Sequence, residues 1–132
     1  MIRLLLITPY RKSLFELASV MEKNHDVELT WAESGQNALD MLSETSVDLV
    51  VADKELGDMT GLEFAEKLLR VNPMINCAVL SPLPSDEFHE DSEGLGVFAQ
   101  LPVQPAKADA EKLLKGLKTL KDLTAGITIG NK

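Results

Sequence analysis

Five short apolar runs recur along the chain, and this repetition is the feature that most restricts the fold. Amphipathic or polar stretches with helical character separate the runs. A buried strand followed by a short connection and a helix packs as a right-handed βαβ unit, which places the strands parallel with helices on both faces of the sheet. The sequence therefore predicts an α/β protein. The predicted strands are 2–7, 27–31, 47–52, 76–80 and 97–101.

The intervening segments carry signals for helix starts and ends. Ser13 and Glu16 have the spacing of a capping box, which predicts a helix over 13–23. Further helices are predicted over 34–44, 61–70 and 106–120, and the polar segment 85–93 predicts a short, weakly anchored one. The alternation within 27–31 is typical of a strand at a sheet edge.

Net charge narrows the classes of partner. The chain has 132 residues and a formal net charge of −8, which argues against docking on nucleic acid or on an anionic membrane surface. The apolar run at the N-terminus is too short for a signal peptide or a membrane span, so the sequence predicts a cytoplasmic protein. The single cysteine, Cys77, lies in an apolar stretch and is predicted to be a small buried hydrophobe.

The carboxyl ends of four predicted strands meet at one edge of the sheet, where open α/β sheets bind ligands. The only carboxylate that directly follows one of these strands is Asp53, which precedes a turn-rich loop ending at Gly61. The residues at the four strand ends are Thr8 and Pro9, Asp53, Ser81 and Pro82, and Leu101 and Pro102.

Through the order and spacing of these residues, the sequence resembles a response-regulator receiver domain over about residues 2–120. The stretch DKELGDMTG from Asp53 is similar to the family's phospho-acceptor loop, although Gly57 stands at the usual proline. Ser81 falls at the family's hydroxyl position. The segment 94–102 matches the stretch that carries an aromatic switch residue, here Phe98, and a proline after a cis peptide bond, here Pro102.

The resemblance implies a flavodoxin-like (βα)5 sandwich with a five-stranded parallel sheet in the order 2-1-3-4-5. It also implies a role in a two-component phosphorelay, with a sensor histidine kinase or another signalling protein as partner. Asp53 takes the phospho-acceptor position, Ser81 and Glu55 are its phosphate-site neighbours, and Phe98 is the switch or output residue. Residues 1–121 form the predicted domain, and 122–132 form a tail or the start of a linker.

Four departures from the family pattern weaken the expected chemistry. Thr8 and Pro9 replace two adjacent acids that hold magnesium, and Leu101 replaces the lysine that neutralises phosphoryl oxygens. Pro82 replaces a residue whose N–H contacts the phosphoryl group, and proline has no N–H. Magnesium prefers oxygen ligands including carboxylates, so Asp53 with the Glu55 carbonyl makes a poor site. No metal, other cofactor or catalytic residue is predicted.

The sequence therefore predicts a degenerate receiver that acts through protein contacts and is phosphorylated poorly at Asp53. Asp53 could instead simply cap its loop, Ser81 could be a satisfied strand-end hydroxyl, and Phe98 could be core or contact surface. One alternative is a conventional magnesium-dependent switch that uses Asp53. A distant alternative is a small flavin- or nucleotide-binding enzyme, which lacks support because no glycine-rich phosphate cradle is present.

Two charged segments suggest a contact between copies. Lysines recur every three residues along the last predicted helix, and the segment 85–93 holds five acids. The spacing of the lysines favours an ordinary solvated helix face on which Glu111 pairs with Lys115. The sharper alternative is that the lysines and the acidic segment are two halves of a self-complementary contact between copies. The resemblance supports a homodimer of this kind, because receiver domains form dimers through the fourth helix, fifth strand and fifth helix. The lysines are Lys112, Lys115, Lys118 and Lys121.

Overall fold

The computed structural model describes the backbone of residues 2–130 and the side chains of residues 2–119. Its sheet has five parallel strands in the order β2-β1-β3-β4-β5, which confirms the predicted fold class. The strands are β1 Ile2–Ile7, β2 Val27–Ala32, β3 Leu49–Ala52, β4 Asn76–Leu80 and β5 Val97–Leu101. The helices are α1 Phe15–Glu22, α2 Gly35–Leu42, α3 Gly61–Val71, α4 Ser85–Ser92 and α5 Lys107–Gly130.

Two apolar cores lie on opposite faces of the sheet, because successive strand residues point to opposite sides. Leu4 and Leu6 of β1 pack with α1 and α5, whereas Leu5 and Ile7 pack with the core that contains Phe64 of α3. All four residues of β3 are buried. The central strands are therefore covered on both faces, and their carboxyl ends are fixed rigidly beside one another.

The start of α1 differs from the prediction. A 3-10 turn, Arg11–Leu14, precedes the helix, which begins at Phe15, and neither element has a side-chain cap at its N-terminus. The predicted capping box of Ser13 and Glu16 is therefore wrong. The Ser13 hydroxyl bonds to the Asp53 carboxylate and lies near the Tyr10 carbonyl instead. A charged acceptor gives a stronger hydrogen bond than a neutral one.

The fourth helix forms as predicted, with one buried residue. Phe88 is the buried residue of α4, and the acids around it are exposed. The last helix begins at Lys107, and its backbone continues to Gly130, past the predicted end near Leu120. The side chain of Leu120 and those of the predicted tail, 122–132, lie outside the described residues, so the domain boundary at 121 stays a prediction.

The lysines of α5 do not form one stripe. Lys115 and Lys118 line a groove against α1, whereas Lys112 lies on the side of β5. The side chain of Lys121 is outside the described residues. The predicted Glu111–Lys115 pair is wrong, since the ion pairs of the described side chains are Arg3–Glu28 and Arg70–Glu66. Exposed pairs at this spacing are worth only about 0.3–0.5 kcal/mol, so the side chains gain little from pairing.

Candidate functional site

Asp53 directly follows β3, and its backbone N–H donates to the Ile7 carbonyl at 3.0 Å, which holds it beside the end of β1. Its side chain is mostly buried, with 8% of the residue exposed. The Oδ2 atom accepts hydrogen bonds from Thr8 Oγ1 at 2.7 Å and Ser13 Oγ at 2.6 Å. The Oδ1 atom accepts from the Lys54 N–H at 2.7 Å. Both carboxylate oxygens therefore have donors within the chain.

Each of the two hydroxyls has one proton and more than one acceptor in reach. Thr8 Oγ1 also lies 3.1 Å from the Tyr10 carbonyl, and Ser13 Oγ lies 2.8 Å from the same oxygen. In both cases the carboxylate oxygen is the nearer acceptor, and an ionised acceptor makes the stronger hydrogen bond. We therefore assign both hydroxyl protons to hydrogen bonds that Thr8 and Ser13 donate to Asp53 Oδ2. The Tyr10 N–H in turn donates to Thr8 Oγ1 at 3.0 Å and fixes its position.

The backbone of the loop after Asp53 explains why glycine, and not the family's usual proline, stands at position 57. Gly57 has a φ of +89°, a region that glycine reaches freely and that proline, fixed near −65°, cannot adopt. The neighbouring Leu56 is 1% exposed and its N–H donates to the Met59 carbonyl. The loop is thus a closed turn anchored by an apolar side chain.

The loop ends where α3 begins, at a capping box formed by Thr60 and Glu63. Directly after the cap, a Cβ atom added to Gly61 would lie 2.5 Å from the Asp53 carbonyl oxygen and 2.9 Å from Val79 Cγ1. Gly61 therefore allows the helix to start against the backbone of Asp53.

Asp58 connects this loop to α2. Its Oδ1 and Oδ2 atoms accept the N–H groups of Gly35 and Gln36, each at 2.9 Å, so one carboxylate caps the first turn of the helix. Burial raises the pKa of Asp58, but the backbone N–H groups of Gln36 and Gly35 and its own N–H lower it by more. The net pKa lies below the ordinary value of 3.8. The cap is therefore charged at neutral pH.

We expect Asp58→Ala to lower the free energy of unfolding by about 1 kcal/mol near pH 7, as for other helix caps. Because the folded-state pKa is lowered, this stabilisation is present above pH 3.8 and is lost as the pH falls through the folded-state value. Urea unfolding of both proteins at several pH values measures the difference. Glu44→Ala is the control, since Glu44 is exposed and far from a helix N-terminus; an equal loss in both variants would contradict the cap.

Ser81 directly follows β4, which lies on the other side of β3 from β1. Its hydroxyl accepts the Leu83 N–H at 3.2 Å, so it caps its own turn. The Gln100 side chain donates to the Leu83 carbonyl at 2.8 Å and ties the same loop to β5. A cavity of about 250 Å³ separates this loop from the loop after Asp53, and Glu55, Ser81 and Pro82 line it. The predicted phosphate-site neighbours thus share a cavity.

The other predicted positions, on β5 and directly after it, are not among the described groups that hydrogen-bond to the Asp53 carboxylate. Leu101 is 5% exposed and belongs to the core under α1 and α5. The peptide bond before Pro102 is trans, whereas the resemblance implies cis; trans is the intrinsically preferred isomer by about 0.5–1 kcal/mol. Phe98 is half-buried and lines a hollow of about 330 Å³ between β5 and α5 with Lys112 and Gly116.

The donor set around Asp53 does not fit a magnesium ion. Magnesium needs near-octahedral oxygen ligands, usually including carboxylates. Thr8 and Ser13 contribute hydroxyls that donate to Asp53, and Pro9 contributes no ligand atom from its side chain. Within residues 2–119 no group of three carboxylate, imidazole or thiol side chains is placed to hold a metal.

Sequence reasoning missed three contributors to this edge, namely Ser13, Asp58 and Gln100. Each acts on a partner distant in the chain, such as Asp53, which is 40 residues from Ser13. The available signal for Ser13 was that a second hydroxyl follows Thr8 within the loop that leaves β1.

A parallel sheet in this order, with one carboxylate at the end of β3, defines a receiver-type architecture. Residues 6–104 match the response regulator receiver domain family, and the chain belongs to that family. The chain is 29% identical over 100 residues to a response regulator receiver protein of Anaeromyxobacter sp. (strain Fw109-5), covering 76% of this chain and 42% of that protein. It spans less than half the length of this curated relative.

Solved structures agree on the fold. The chemotaxis response regulator CheY4 of Vibrio cholerae superposes with a TM-score of 0.78 at 18% identity, covering 89% of this chain and 98% of that one. A streptococcal protein, described as a redox sensor evolved from two-component response regulators, gives 0.78 at 21% identity, covering 96% and 55%. No helix among the described residues is long and apolar enough to cross a membrane.

Proposed function

We propose that this receiver domain is a degenerate member of its family, in which Asp53 is not phosphorylated at a useful rate and signalling proceeds through protein contacts. The observation that carries the proposal is the pair of hydroxyl donors, Thr8 and Ser13, on Asp53 Oδ2. Thr8 stands at one of the two positions after β1 where the family has metal-binding acids, and Ser13 lies in the 3-10 turn Arg11–Leu14 that follows.

The physical reason is charge. Phosphoryl transfer depends on positioning and on stabilising the negative charge of the transferring group. Here the carboxylate is the acceptor of hydrogen bonds at both oxygens, and Leu101 brings a buried apolar side chain to the position of the family's lysine. Pro82 offers no N–H at the neighbouring loop. Each missing donor or cation raises the barrier to transfer.

Incubation with magnesium and a small phosphodonor, followed by intact-mass measurement, tests the proposal. We expect less than about 5% of the chain to gain one phosphoryl group under conditions that load a conventional receiver fully. A stoichiometric adduct in the wild type that is absent from Asp53→Asn would contradict it. That outcome would favour the second candidate, a conventional switch that uses Asp53, which the retained acceptor carboxylate and the shared Ser81–Glu55 cavity support.

The partners we propose are a sensor histidine kinase or another signalling protein, met in the cytoplasm. We also propose a homodimer through α4, β5 and α5 as a candidate. The hollow beside Phe98 lies on that face, and among the described side chains of α5 Lys112 is the one lysine that lines it. The distant alternative, a flavin- or nucleotide-binding protein, predicts visible or near-ultraviolet absorbance of the purified protein beyond that of its aromatic residues.

Redox sensing through Cys77 is not favoured. The residue is 3% exposed, and burial raises the pKa of its thiol to about 12. The thiolate is the reactive form, and at pH 8 only about one thiol in ten thousand would be ionised at such a pKa. We expect native protein to leave a thiol-specific chromogenic reagent unreacted for hours and denatured protein to react fully. Rapid stoichiometric labelling of the native chain would show that the thiol is accessible.

A further inference from the structure

A groove of about 480 Å³ runs between α1 and α5, on the face opposite α3. Val20 and Leu114 form part of its lining, and among the described side chains that line it there are four lysines and one acid, Glu111. The lysines are Lys23, Lys107, Lys115 and Lys118. In a chain with a net charge of −8, this is a local concentration of positive charge. We call it the α1–α5 groove.

None of these four lysines makes an ion pair with another described side chain. Lys23, Lys107 and Lys115 are exposed and Lys118 is half-buried, so their charges are available to a partner. The groove is open and no buried polar side chain points into it, which differs from the enclosed sites that hold small ligands. Its shape and charge suit a protein segment that is acidic and helical.

The chain itself contains such a segment. Four acids of α4, Asp86, Glu87, Glu90 and Asp91, are exposed, and Glu93 follows the helix. None of them pairs with a described cation. Phe88 is the residue of α4 that is buried in the core, and the acids lie on the exposed part of the helix. The acidic and basic surfaces lie on different elements, and the two are complementary between copies.

We propose that α4 of one copy docks in the α1–α5 groove of a second copy. The two surfaces differ, so the contact is heterologous: in a dimer, the copy that supplies α4 keeps a free groove, and the copy that supplies the groove keeps a free α4. Association therefore continues past the dimer as the concentration rises. This contact is independent of whether Asp53 accepts a phosphoryl group, and it differs from a symmetric contact through α4, β5 and α5.

Light scattering after size-exclusion chromatography tests the contact. At low ionic strength we expect the average mass of the wild type to rise with concentration. It should return to the monomer value near 1 M salt, where the screening length falls to about 3 Å. A wild type that stays monomeric at every concentration and salt would overturn the proposal.

A matched pair of variants locates the surface. Lys115→Glu and Lys112→Glu make the same charge change three residues apart on α5, but only Lys115 lines the groove. An exposed ion pair changes an association constant about two- to fivefold, and a reversal adds repulsion. We therefore expect Lys115→Glu to weaken association about tenfold and Lys112→Glu to change it less than about twofold. Equal losses, or a larger loss in Lys112→Glu, would overturn the assignment.

Charge exchange identifies the occupant. Lys115→Glu/Lys118→Glu and Glu87→Lys/Glu90→Lys should each be monomeric alone, because each brings like charges together. Mixed together, they restore complementary pairs in both directions and should associate as the wild type does. Thermal unfolding of each variant alone verifies that it is folded. Failure of the mixture to associate, with both proteins folded, would exclude α4 as the occupant.

Discussion

Thr8→Asp/Pro9→Asp should turn the edge of the sheet into a magnesium site and make stability depend on the metal. Thr8 is 2% exposed and its hydroxyl lies 2.7 Å from Asp53 Oδ2, so the substitution places a second carboxylate against the first. Close carboxylates resist joint ionisation, and one donor to Asp53 is lost. Near pH 7 we expect the free energy of unfolding to fall by about 2–4 kcal/mol without metal.

Magnesium should reverse most of this loss. A ligand present at about 100 times its dissociation constant stabilises the folded state by about 2.7 kcal/mol. Thermal unfolding with millimolar magnesium or a chelator measures the effect, and the wild type should show none. Thr8→Asn/Pro9→Asn is the matched control, because it has nearly the same volume without the charge. A magnesium response in the wild type or in this control would contradict the assignment.

Gly61→Ala should destabilise the chain more than other single-methyl additions. The new Cβ would lie 2.5 Å from the Asp53 carbonyl oxygen, a backbone atom, and 2.9 Å from Val79 Cγ1. Because β3 and α3 are both held in place by packing, the added methyl group must displace one of them. Overpacking of this kind lowers the free energy of unfolding by about 1–3 kcal/mol or more. The displacement acts on the residue that carries the carboxylate, so we also expect the Lys54 N–H bond to Asp53 to be disturbed.

Gly116→Ala provides a control with the opposite expected sign. Its added Cβ would lie 3.8 Å from Phe98 Cζ, an ordinary contact. In a helix interior, alanine is favoured over glycine by about 0.5–1 kcal/mol, so this variant should be more stable. Urea unfolding of the two variants beside the wild type gives both values. A Gly61→Ala protein as stable as the wild type would show that α3 does not start against the Asp53 backbone.

The fold was predictable because its signals are local. Apolar runs of strand length, separated by helices, determine a parallel sheet, and strand ends then bring Thr8 beside Asp53. The prediction failed where a side chain had a choice of partner. Ser13 has the sequence context of a helix cap, but the carboxylate of Asp53 is the better acceptor, and only the folded chain brings it within 2.6 Å.

The same limit applies to Asp58 and α5. The bond from Asp58 to the start of α2 crosses 23 residues, and no periodicity in sequence indicates it. The end of α5 was placed near Leu120 because the apolar period stops there, but that period reports which face is buried rather than where the helical backbone ends. The backbone of α5 continues to Gly130.

The Lys54 amide reports directly on the state of Asp53, because its N–H donates a 2.7 Å hydrogen bond to Asp53 Oδ1. Its proton and nitrogen chemical shifts can be followed by NMR while magnesium and beryllofluoride, a phosphoryl mimic, are added. We predict that the Lys54 resonance stays in place, because Asp53 keeps its hydroxyl donors and binds neither species. A saturable shift that requires magnesium and disappears in Asp53→Asn would show that Asp53 belongs to a working phosphoryl site and would contradict the degenerate receiver.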